Sequence, residues 1–350
     1  MPESEERVTL DDVARAAGVS RMTASYAFGQ PDRVADKTRK RVLDAAANLG
    51  FRGPDPSGRL LRTGGLRALG LVLGESLEYV FEDAQATNFV SGIARECSAS
   101  GYGLTIVPTT GDRTDAARIT SAAVGGFVVW TTTADDLVLA AIRETRRPAV
   151  VHGGPAIDGF SVIGIDDRAA AKALALSVWA DSKAPAVVSF PLDRDRQAGI
   201  HHGIDPATVP FPVTANRLAG FKDAAEFLGY RWESIPVTVS SSNHSSDAMQ
   251  AVKALTATRY PVDAVVAMSD QQAIAAHAAL NSTAPHRHRT IRLGGFDGSE
   301  RAFGLGITSI GQSLRAQGAR AARIALGIDG PSFETNEPWN LTNAMRAANE

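Results

Sequence analysis

Several features are scarce or missing in this sequence, and each absence excludes a class of protein. Its 350 residues contain a single cysteine, Cys97, so no intrachain disulfide can form and a reducing compartment suits the chain. No apolar run approaches the roughly 20 residues of a membrane-spanning helix. The start, Met1 to Arg7, is acidic and polar and lacks the basic and apolar regions of a secretory signal. We therefore expect a cytoplasmic protein with no membrane partner.

Signatures of catalysis and metal binding are also missing. No G-x-S-x-G, Walker A or G-x-G-x-x-G string occurs. The histidines at 201–202 and 286–288 do not have the spacing of metal ligands on one element, and no cysteine pairs with them. Cys97 shares a helical face with Ile93, which indicates a packed core position. We expect no enzyme activity, no cofactor and no bound metal.

The charge of the chain is distributed unevenly. The net charge is −2, but residues 7–62 carry eleven basic and six acidic side chains, a local charge of +5 that leaves −7 for the rest. A basic head on an acidic body indicates a polyanionic partner at one end. At 350 residues and 44% hydrophobic content, the chain is long enough for one small and one large domain.

Residues 9–50 have the pattern of three short helices. Leu10, Val13, Ala14 and Ala17 share one face of the first helix. Three residues separate Thr9 and Asp12, as in a capping box.

A turn and two further helices follow. Gly18 suits the turn because it tolerates a positive φ, and Ser20 is a good N-cap for a second helix that ends near Phe28. Asp36 is the expected cap of a third helix. Residues 53–65 are punctuated by glycine and proline and are interpreted as a linker.

From Leu66 onward, short β-rich runs alternate with helical patterns. The predicted strands are Ala68–Leu73, Gly103–Val107, Gly126–Trp130, Ala149–His152, Ser161–Ile165, Ala186–Phe190, Ala264–Ala267 and Arg292–Phe296. The predicted helices include Phe89–Ser100, Arg113–Ala123, Asp167–Ala180, Arg217–Leu228, Ser246–Ala257 and Gln271–Ala279. This alternation predicts two parallel, doubly wound sheets in a two-lobed α/β domain with a cleft between the lobes.

The second predicted helix has two faces of different chemistry. At about 100° per residue, the side chains of one arc of about 140° are Arg21, Met22, Ser25 and Tyr26. Thr23, Ala24 and Ala27 lie on the opposite arc, where small side chains allow close packing. The outward set combines a cation that can bond guanine with side chains that can contact a thymine methyl group.

The string from Val8 to Ser20, continued by residues 23–26, resembles the helix-turn-helix of the lactose-repressor (LacI/GalR) family. The resemblance implies that the second helix enters the major groove of an operator in double-stranded DNA. Arg21, Met22 and Tyr26 then face base edges, with Tyr26 standing where many members carry arginine. Thr9, Ser20, Thr23 and Ser25 resemble phosphate or capping contacts, which position the domain.

The linker resembles the same family. Residues 58–64 match the family's hinge helix, with Gly58 in place of alanine. The resemblance implies DNA contacts by Arg59 and Leu61, with Leu61 of each protomer of a homodimer wedged into the minor groove. A plain flexible linker is the alternative. Residues 337–350 lack the leucine heptads of a tetramerisation tail.

The large domain resembles the family up to about Gly327. The strings that carry this resemblance are residues 164–167, 217–221, 268–271, 294–297 and 305–312. It implies the fold of periplasmic sugar-binding proteins and a carbohydrate-like effector at the carboxyl ends of the strands. By family position, the effector contacts are Arg217, Asp270 and Asp297, although either aspartate could instead cap the helix that follows it.

Two aromatic residues near the predicted rim, Trp130 and Phe81, could stack on a ligand ring or belong to core and loop packing. Residues 150–154 lack the aspartate that some sugar-binding relatives place there, so no particular sugar is predicted.

These observations predict a headpiece over residues 1–52, a hinge over 53–65 and an effector-binding and dimerisation domain over 66–350. The first lobe spans about 66–165 and 313–328, and the second about 166–312 and 329–350. The expected function is an effector-controlled, sequence-specific transcription repressor. A sugar hydrolase lacks a nucleophile–base pair, and a transport binding protein would need a signal peptide.

Overall fold

The computed structural model describes residues 8–29, 33–51, 67–74, 78–109, 111–258, 260–283 and 291–342. It divides the chain into two compact units, Met1–Arg67 and Ala68–Glu350. The hinge residues 53–65, with Arg59 and Leu61, lie outside the described residues, as do the histidines at 286–288.

The described residues of the first unit form three helices, as the sequence predicts: α1 Leu10–Ala16, α2 Arg21–Gly29 and α3 Asp36–Asn48. One fully buried residue from each helix, Val13, Ala24 and Val42, forms the centre of their common core. The prediction that Asp36 caps α3 is wrong. Asp36 is the first helical residue, and the cap position is Ala35, which has no side-chain oxygen to accept a hydrogen bond.

The second unit begins with a parallel sheet in the order β2-β1-β3-β4-β5. Its strands are β1 Ala68–Leu73, β2 Gly103–Pro108, β3 Gly126–Trp130, β4 Ala149–His152 and β5 Ser161–Ile163. Alternate residues face opposite sides: Leu71 and Val128 belong to one core, Val72 and Val129 to the other. The sheet is therefore buried on both faces.

A second sheet follows in the order β12-β11-β10-β9-β6-β8-β7. Its strands are β6 Pro185–Ser189, β7 Gly199–His201, β8 Val237–Val239, β9 Ala264–Ala267, β10 Arg292–Asp297, β11 Thr308–Gln312 and β12 Trp339–Thr342. The inner strands are parallel, whereas β7 and β12 run antiparallel at the two edges. Antiparallel edge strands on a parallel sheet are common in doubly wound folds.

Helices cover both sheets. Those of the second unit are α4 Tyr79–Glu82, α5 Ala84–Ala99, α6 Thr114–Ser121, α7 Leu137–Thr145, α8 Asp167–Trp179, α9 Pro212–Phe227, α10 Ser245–Ala257, α11 Asp270–Thr283, α12 Glu300–Gly304 and α13 Leu314–Ala325, with 3-10 turns at Pro206–Thr208 and Trp232–Ser234. On the first sheet, α5 and α13 cover one face and α6 and α7 the other. On the second sheet, α8 and α9 lie opposite α10 and α11. Each sheet with its helices is one lobe.

The chain passes between the lobes more than once. It leaves the first sheet after Ile163, returns to the first lobe at α13, and then joins the second sheet again through β12. The predicted two-sheet α/β architecture is confirmed. Individual bounds differ: the strand from Ser161 ends at Ile163, and the helix that contains Arg217 begins five residues earlier, at Pro212.

Candidate DNA-recognition helix and ligand cleft

The second helix of the first unit has one packed and one exposed face. Ala24 and Ala27 are buried against α1 and α3, and Gly18 makes the preceding turn with φ of 62°. Met22 is 64% exposed, and Arg21 is also exposed. The small packing residues bring α2 close to its neighbours and leave its long side chains in solvent.

The polar residues around α1 and α2 make local contacts. Thr9 and Asp12 form the predicted capping box: the Thr9 side chain accepts from the Asp12 amide at 3.4 Å, and the Thr9 amide donates to the Asp12 carboxylate at 3.0 Å. Ser20 Oγ accepts from the Thr23 amide at 3.1 Å and lies 2.8 Å from Thr23 Oγ1. Thr9, Ser20 and Thr23 therefore stabilise helix starts in this structure.

Two contacts hold the candidate base-reading side chains. Arg21 Nε lies 3.3 Å from Asp11 Oδ1, in an exposed ion pair. The half-buried Tyr26 has the guanidinium of Arg33 at 5.6 Å from its ring centroid. Ser25 is also half-buried. Solvent and counter-ions compete with both contacts, so Arg21 and Tyr26 can be redirected at a small cost in free energy.

The second unit contains a cleft between its lobes, with a cavity of about 150 Å³. Strand ends from both sheets line it: Trp130 ends β3, His152 ends β4 and Asp297 ends β10. Open α/β sheets bind ligands at the carboxyl ends of their strands. The cleft is therefore the candidate ligand site of this unit.

Arg217 of α9 is fixed in the wall of the cleft. Its Nε donates to Asp167 Oδ1 at 2.7 Å, and its Nη1 donates to the carbonyl oxygen of Met268. The guanidinium carbon lies 3.8 Å from the ring centroid of Phe296. Within the described part of the chain, no group is bonded to Nη2. Because Arg217 is only 6% exposed, this rigid fork is already desolvated and directed before any ligand arrives.

Asp297 lies in the same cleft, in an unusual backbone conformation. Its φ is 110°, outside the range that residues other than glycine commonly adopt. Its Oδ1 accepts from Gln312 Nε2 at 3.2 Å. Burial raises the pKa of Asp297 well above its usual range, the negative charge of Asp270 raises it further, and Arg217 opposes the shift. Strain and an unfavourable ionisation at one residue are typical of functional positions.

Three rings form the wall of the first lobe. The centroid of Phe89 lies 4.7 Å from that of Trp130 and 4.6 Å from that of His152. Burial lowers the pKa of His152 to about 4, and the charge of Arg217 lowers it too, so its imidazole is neutral at pH 7. Trp130 therefore combines the two roles that the sequence left open, since it packs in this cluster and also lines the cavity.

The structure brings Arg217, Asp297 and Trp130 together but does not bring Asp270 or Phe81 to this cleft. Asp270 is the first residue of α11, and it accepts from Ser309 Oγ and from the Ser299 amide, both at 2.7 Å. Its carboxylate thus ties β11 to the start of α12. Phe81 lies in α4 with 68% of its surface exposed and does not line the cavity.

Sequence reasoning missed several polar residues of the cleft, namely Asp167, His152, Gln312, Gln317, Asp83 and Asn243. One signal in the sequence pointed to His152: it lies in residues 150–154, the segment that lacks the aspartate found there in some sugar-binding relatives. Asp167 ended a string that resembled the family, but its pairing with Arg217 depends on how α8 packs against α9.

Contacts across the mouth of the cleft join the two lobes. Arg194 of the second lobe donates to Asp135 Oδ1 of the first at 2.9 Å and also bonds the hydroxyl of Thr133. At another point, Asn243 Nδ2 donates to Asp83 Oδ2 at 3.1 Å. The structure therefore shows the lobes in contact around the cavity.

Among the described residues, no group of three or more histidine, cysteine, aspartate or glutamate side chains could hold a metal ion. In the same residues, no helix combines the length and apolar character needed to cross a bilayer.

A helix-turn-helix unit followed by a two-lobed α/β unit of the periplasmic-binding-protein type is the architecture of a class of bacterial transcription regulators. Residues 9–53 match the family model described as bacterial regulatory proteins, lacI family. The chain is 33% identical over 330 residues to the HTH-type transcriptional regulator Rv3575c of Mycobacterium tuberculosis, covering 93% of this chain and 92% of the relative. It is 29% identical to the regulator IpsA of Corynebacterium glutamicum, covering 91% and 90%.

Solved structures of transcription regulators have the same fold as this chain. A LacI-family regulator from Corynebacterium glutamicum superimposes with a TM-score of 0.73 at 25% identity, covering 96% of this chain and 98% of that one. The lac repressor dimer bound to operator and the anti-inducer ONPF shares the fold, with a TM-score of 0.66 at 20% identity, covering 97% and 98%. The chain therefore belongs to the LacI family of transcriptional regulators, which bind DNA and are not enzymes.

Proposed function

We propose that this protein is a sequence-specific transcription repressor that acts as a homodimer and is controlled by a sugar or sugar derivative bound in the cleft. Effector binding in the second unit changes the affinity of the headpieces for operator DNA. By linkage, operator DNA must change effector affinity by the same factor.

The exposed face of α2 supports the DNA-binding half of the proposal. Arg21 and Met22 project from a helix whose opposite face is closely packed, so they are free to reach base edges in the major groove. Tyr26 and Ser25 flank them. Thr9, Ser20 and Thr23 stabilise the helix starts, and we keep them as phosphate contacts that position the domain. Arg59 and Leu61 remain proposed DNA contacts of the hinge, with Leu61 in the minor groove.

The fixed position of the Arg217 guanidinium over the Phe296 ring supports the effector-binding half of the proposal. A planar fork held by Asp167 and Met268 presents directed donors beside Asp297, and such pairs match neighbouring sugar hydroxyls. Trp130 supplies an aromatic surface against which a sugar ring can pack. The regulator CelR has been solved in complex with cellobiose, at a TM-score of 0.64 and 20% identity to this chain. A LacI-family regulator of Enterococcus faecium has been solved with ribose.

Two measurements on the full chain test the proposal together. Selection of bound sequences from a random pool should yield a pseudo-palindrome whose half-sites lie about one helical turn apart. A thermal-shift screen with sugars, nucleosides and sugar phosphates should then find the effector. A ligand at 100 times its dissociation constant adds about 2.7 kcal/mol of stability. Failure to prefer any sequence over random competitor would reject the DNA-binding half, and stabilisation by nucleosides alone would reject the carbohydrate.

A further inference from the structure

A chain of hydrogen bonds connects the two lobes along the wall of the cleft. His152 Nε2 lies 2.7 Å from Gln317 Oε1, Gln317 Nε2 lies 3.1 Å from Gln312 Oε1, and Gln312 Nε2 lies 3.2 Å from Asp297 Oδ1. His152 belongs to the first sheet and Asp297 to the second, and the two glutamines flank the point where the chain enters α13. All four residues line the cavity. We call this series of three hydrogen bonds, from His152 through Gln317 and Gln312 to Asp297, the glutamine relay.

The relay has one direction. Gln312 donates through Nε2 to Asp297 Oδ1, which accepts whether or not the other carboxyl oxygen carries a proton, and Gln312 accepts through its own carbonyl oxygen from Gln317. The carbonyl oxygen of Gln317 must then accept from His152, which makes Nε2 the protonated nitrogen of the ring. A neutral imidazole carries one N–H, so Nδ1 of His152 is left with a lone pair and no hydrogen.

Nδ1 of His152 is buried and has no hydrogen-bond partner among the described residues. Buried polar atoms are rarely left in that condition, because the lost hydration is not replaced. Rotation of the ring cannot supply a partner without disrupting the relay, since Nε2 is bound to Gln317 and the Phe89 ring lies tilted against the imidazole at 4.6 Å between centroids. The acceptor is therefore fixed in place in a cavity wall, and its partner is missing.

We propose that His152 is a specificity-determining residue, and that the effector places a hydroxyl or N–H hydrogen against its Nδ1. This inference rests on the proposed function and narrows its ligand class. A carboxylate or phosphate oxygen has no hydrogen to donate and would face the lone pair of Nδ1. At this end of the cleft, the site selects a neutral polyol over the corresponding sugar acid or sugar phosphate.

Nδ1 of His152 is closed to solvent in this structure, in which the two lobes are in contact. Arg194 with Asp135 and Asn243 with Asp83 join the lobes around the cavity. A ligand group therefore reaches Nδ1 while the lobes are apart and is enclosed when they close, as in hinge closure around a ligand.

The first test measures the tautomer of His152 without ligand. Nitrogen NMR of the full chain, labelled at histidine, should show a neutral ring protonated at Nε2, with the signal assigned by its loss in His152→Phe. In Gln317→Met, which removes the hydrogen-bonding amide, the ring should become a mixture of tautomers. A ring protonated at Nδ1, or a charged ring at pH 7, would overturn the relay and the inference with it.

The second test compares matched probes: glucose with glucuronate and glucose 6-phosphate, and cellobiose and ribose with their aldonic acids. The neutral member should bind the full chain more tightly, and His152→Phe should weaken that binding about 5- to 150-fold. His277→Phe, which removes a half-buried histidine of α11 outside the cavity, is the matched control and should leave the affinity unchanged.

Gln317→Glu provides a readout that a purely structural role would not change. The new carboxylate beside Nε2 raises the pKa of His152 and makes Nδ1 a donor, so the preference should move toward the acid member of a pair. If none of the probes binds, the carbohydrate effector and the inference built on it are both rejected. If sugars bind the wild-type protein no more tightly than their acids do, or bind His152→Phe as tightly as the wild type, only the inference is wrong.

Discussion

Asp167 and Arg217 form a buried ion pair that joins the start of α8 to the middle of α9. Arg217 Nε and Asp167 Oδ1 are 2.7 Å apart, and each residue is 6% exposed. One residue further along α8, Arg168 makes a second pair with Asp223 of the same α9, also at 2.7 Å, but with 59% of the arginine side chain exposed. The two pairs connect the same helices and differ mainly in burial.

Asp167→Ala should destabilise the second unit by about 3–5 kcal/mol, because it leaves the buried guanidinium of Arg217 without its counter-charge. Asp223→Ala is the matched control and should cost about 0–1 kcal/mol, since water replaces the exposed partner. Urea unfolding of the full chain, followed by circular dichroism, measures both. Equal losses in the two variants would contradict the assignment of Arg217 as a desolvated, pre-organised ligand group.

The contrast between Asp270 and Asp297 shows how far the sequence could predict the site. Asp297 directly follows a predicted strand and Asp270 comes three residues after the end of another, so both met the rule for a ligand site at the carboxyl end of a sheet. In the structure Asp297 enters the cleft, whereas Asp270 turns toward Ser309 of β11. That difference depends on which strand lies next to β10 and on the positive φ of Asp297, and neither is encoded in local periodicity.

Whether a strand could be predicted also depended on how much of its pattern lies in the local sequence. The inner strands Ala68–Leu73 and Gly126–Trp130 have the predicted bounds, because each is an apolar run that is buried over nearly its whole length. The three-residue strand Val237–Val239 is too short to show a period, and Trp339–Thr342 pairs with Thr308–Gln312 through contacts distant in sequence. His152 and Gln317 are 165 positions apart, so their hydrogen bond could not be predicted from either segment.

Asp297→Asn should change how the stability of the second unit depends on pH. The folded protein raises the pKa of Asp297 above its usual value of 3.8, so the native state holds a proton that the unfolded chain has lost. Stability associated with this group is therefore complete below that value and is lost as the pH rises toward the raised pKa. The asparagine variant has no such loss and still offers an oxygen to Gln312, so it should become the more stable protein at neutral pH.

The measurement is the urea midpoint of both proteins between about pH 4 and pH 8. Asp247→Asn is the control of opposite sign. Hydrogen bonds from Ser241 and Ser242 lower the pKa of Asp247, so its contribution is lost only when the pH falls into the acid range. The difference between wild type and Asp247→Asn should be constant above about pH 5. A constant difference for Asp297→Asn as well would show that Asp297 is not perturbed.

Arg21→Ala should weaken operator binding by about 1–3 kcal/mol, with most of the loss at one base pair of each half-site. A gel-shift series with single-base operator variants measures this. Asp11→Asn is the companion variant, because Asp11 Oδ1 lies 3.3 Å from Arg21 Nε. Removing that negative charge should strengthen binding to all sequences alike and leave base preference unchanged. If Arg21→Ala weakened every operator variant equally, Arg21 would be a phosphate contact.

Leu61→Ala should weaken operator binding and reduce the bend of the bound DNA, while effector binding stays at the wild-type level. The reason is that the proposed wedge acts only on the duplex, whereas the cleft is built from residues of the second unit. Bend angles from circular-permutation gel shifts and effector titrations of the same preparation check both parts. A bend angle equal to that of the wild type would remove the wedge from the proposal.

Gly318→Ala should destabilise the first lobe by about 1–3 kcal/mol or more, because α5 and α13 touch through their backbones at this point. A Cβ atom at Gly318 would lie 2.2 Å from the carbonyl oxygen of Phe89, and one at Gly92 would lie 2.0 Å from that of Arg315. Neither backbone can yield without moving the helix that carries Phe89 of the ring cluster. Gly304→Ala, at an exposed helix end with no atom within 4 Å, is the control and should be neutral or slightly stabilising.

The displacement of α5 in Gly318→Ala should also weaken effector binding, because Phe89 packs against both Trp130 and His152 of the cleft wall. Unfolding midpoints and effector affinity, measured on the same variants, separate the two effects. A loss of stability with unchanged affinity would mean that the ring cluster keeps its position when the helices move apart. The cleft would then depend on the sheet, and not on α5, for the placement of His152.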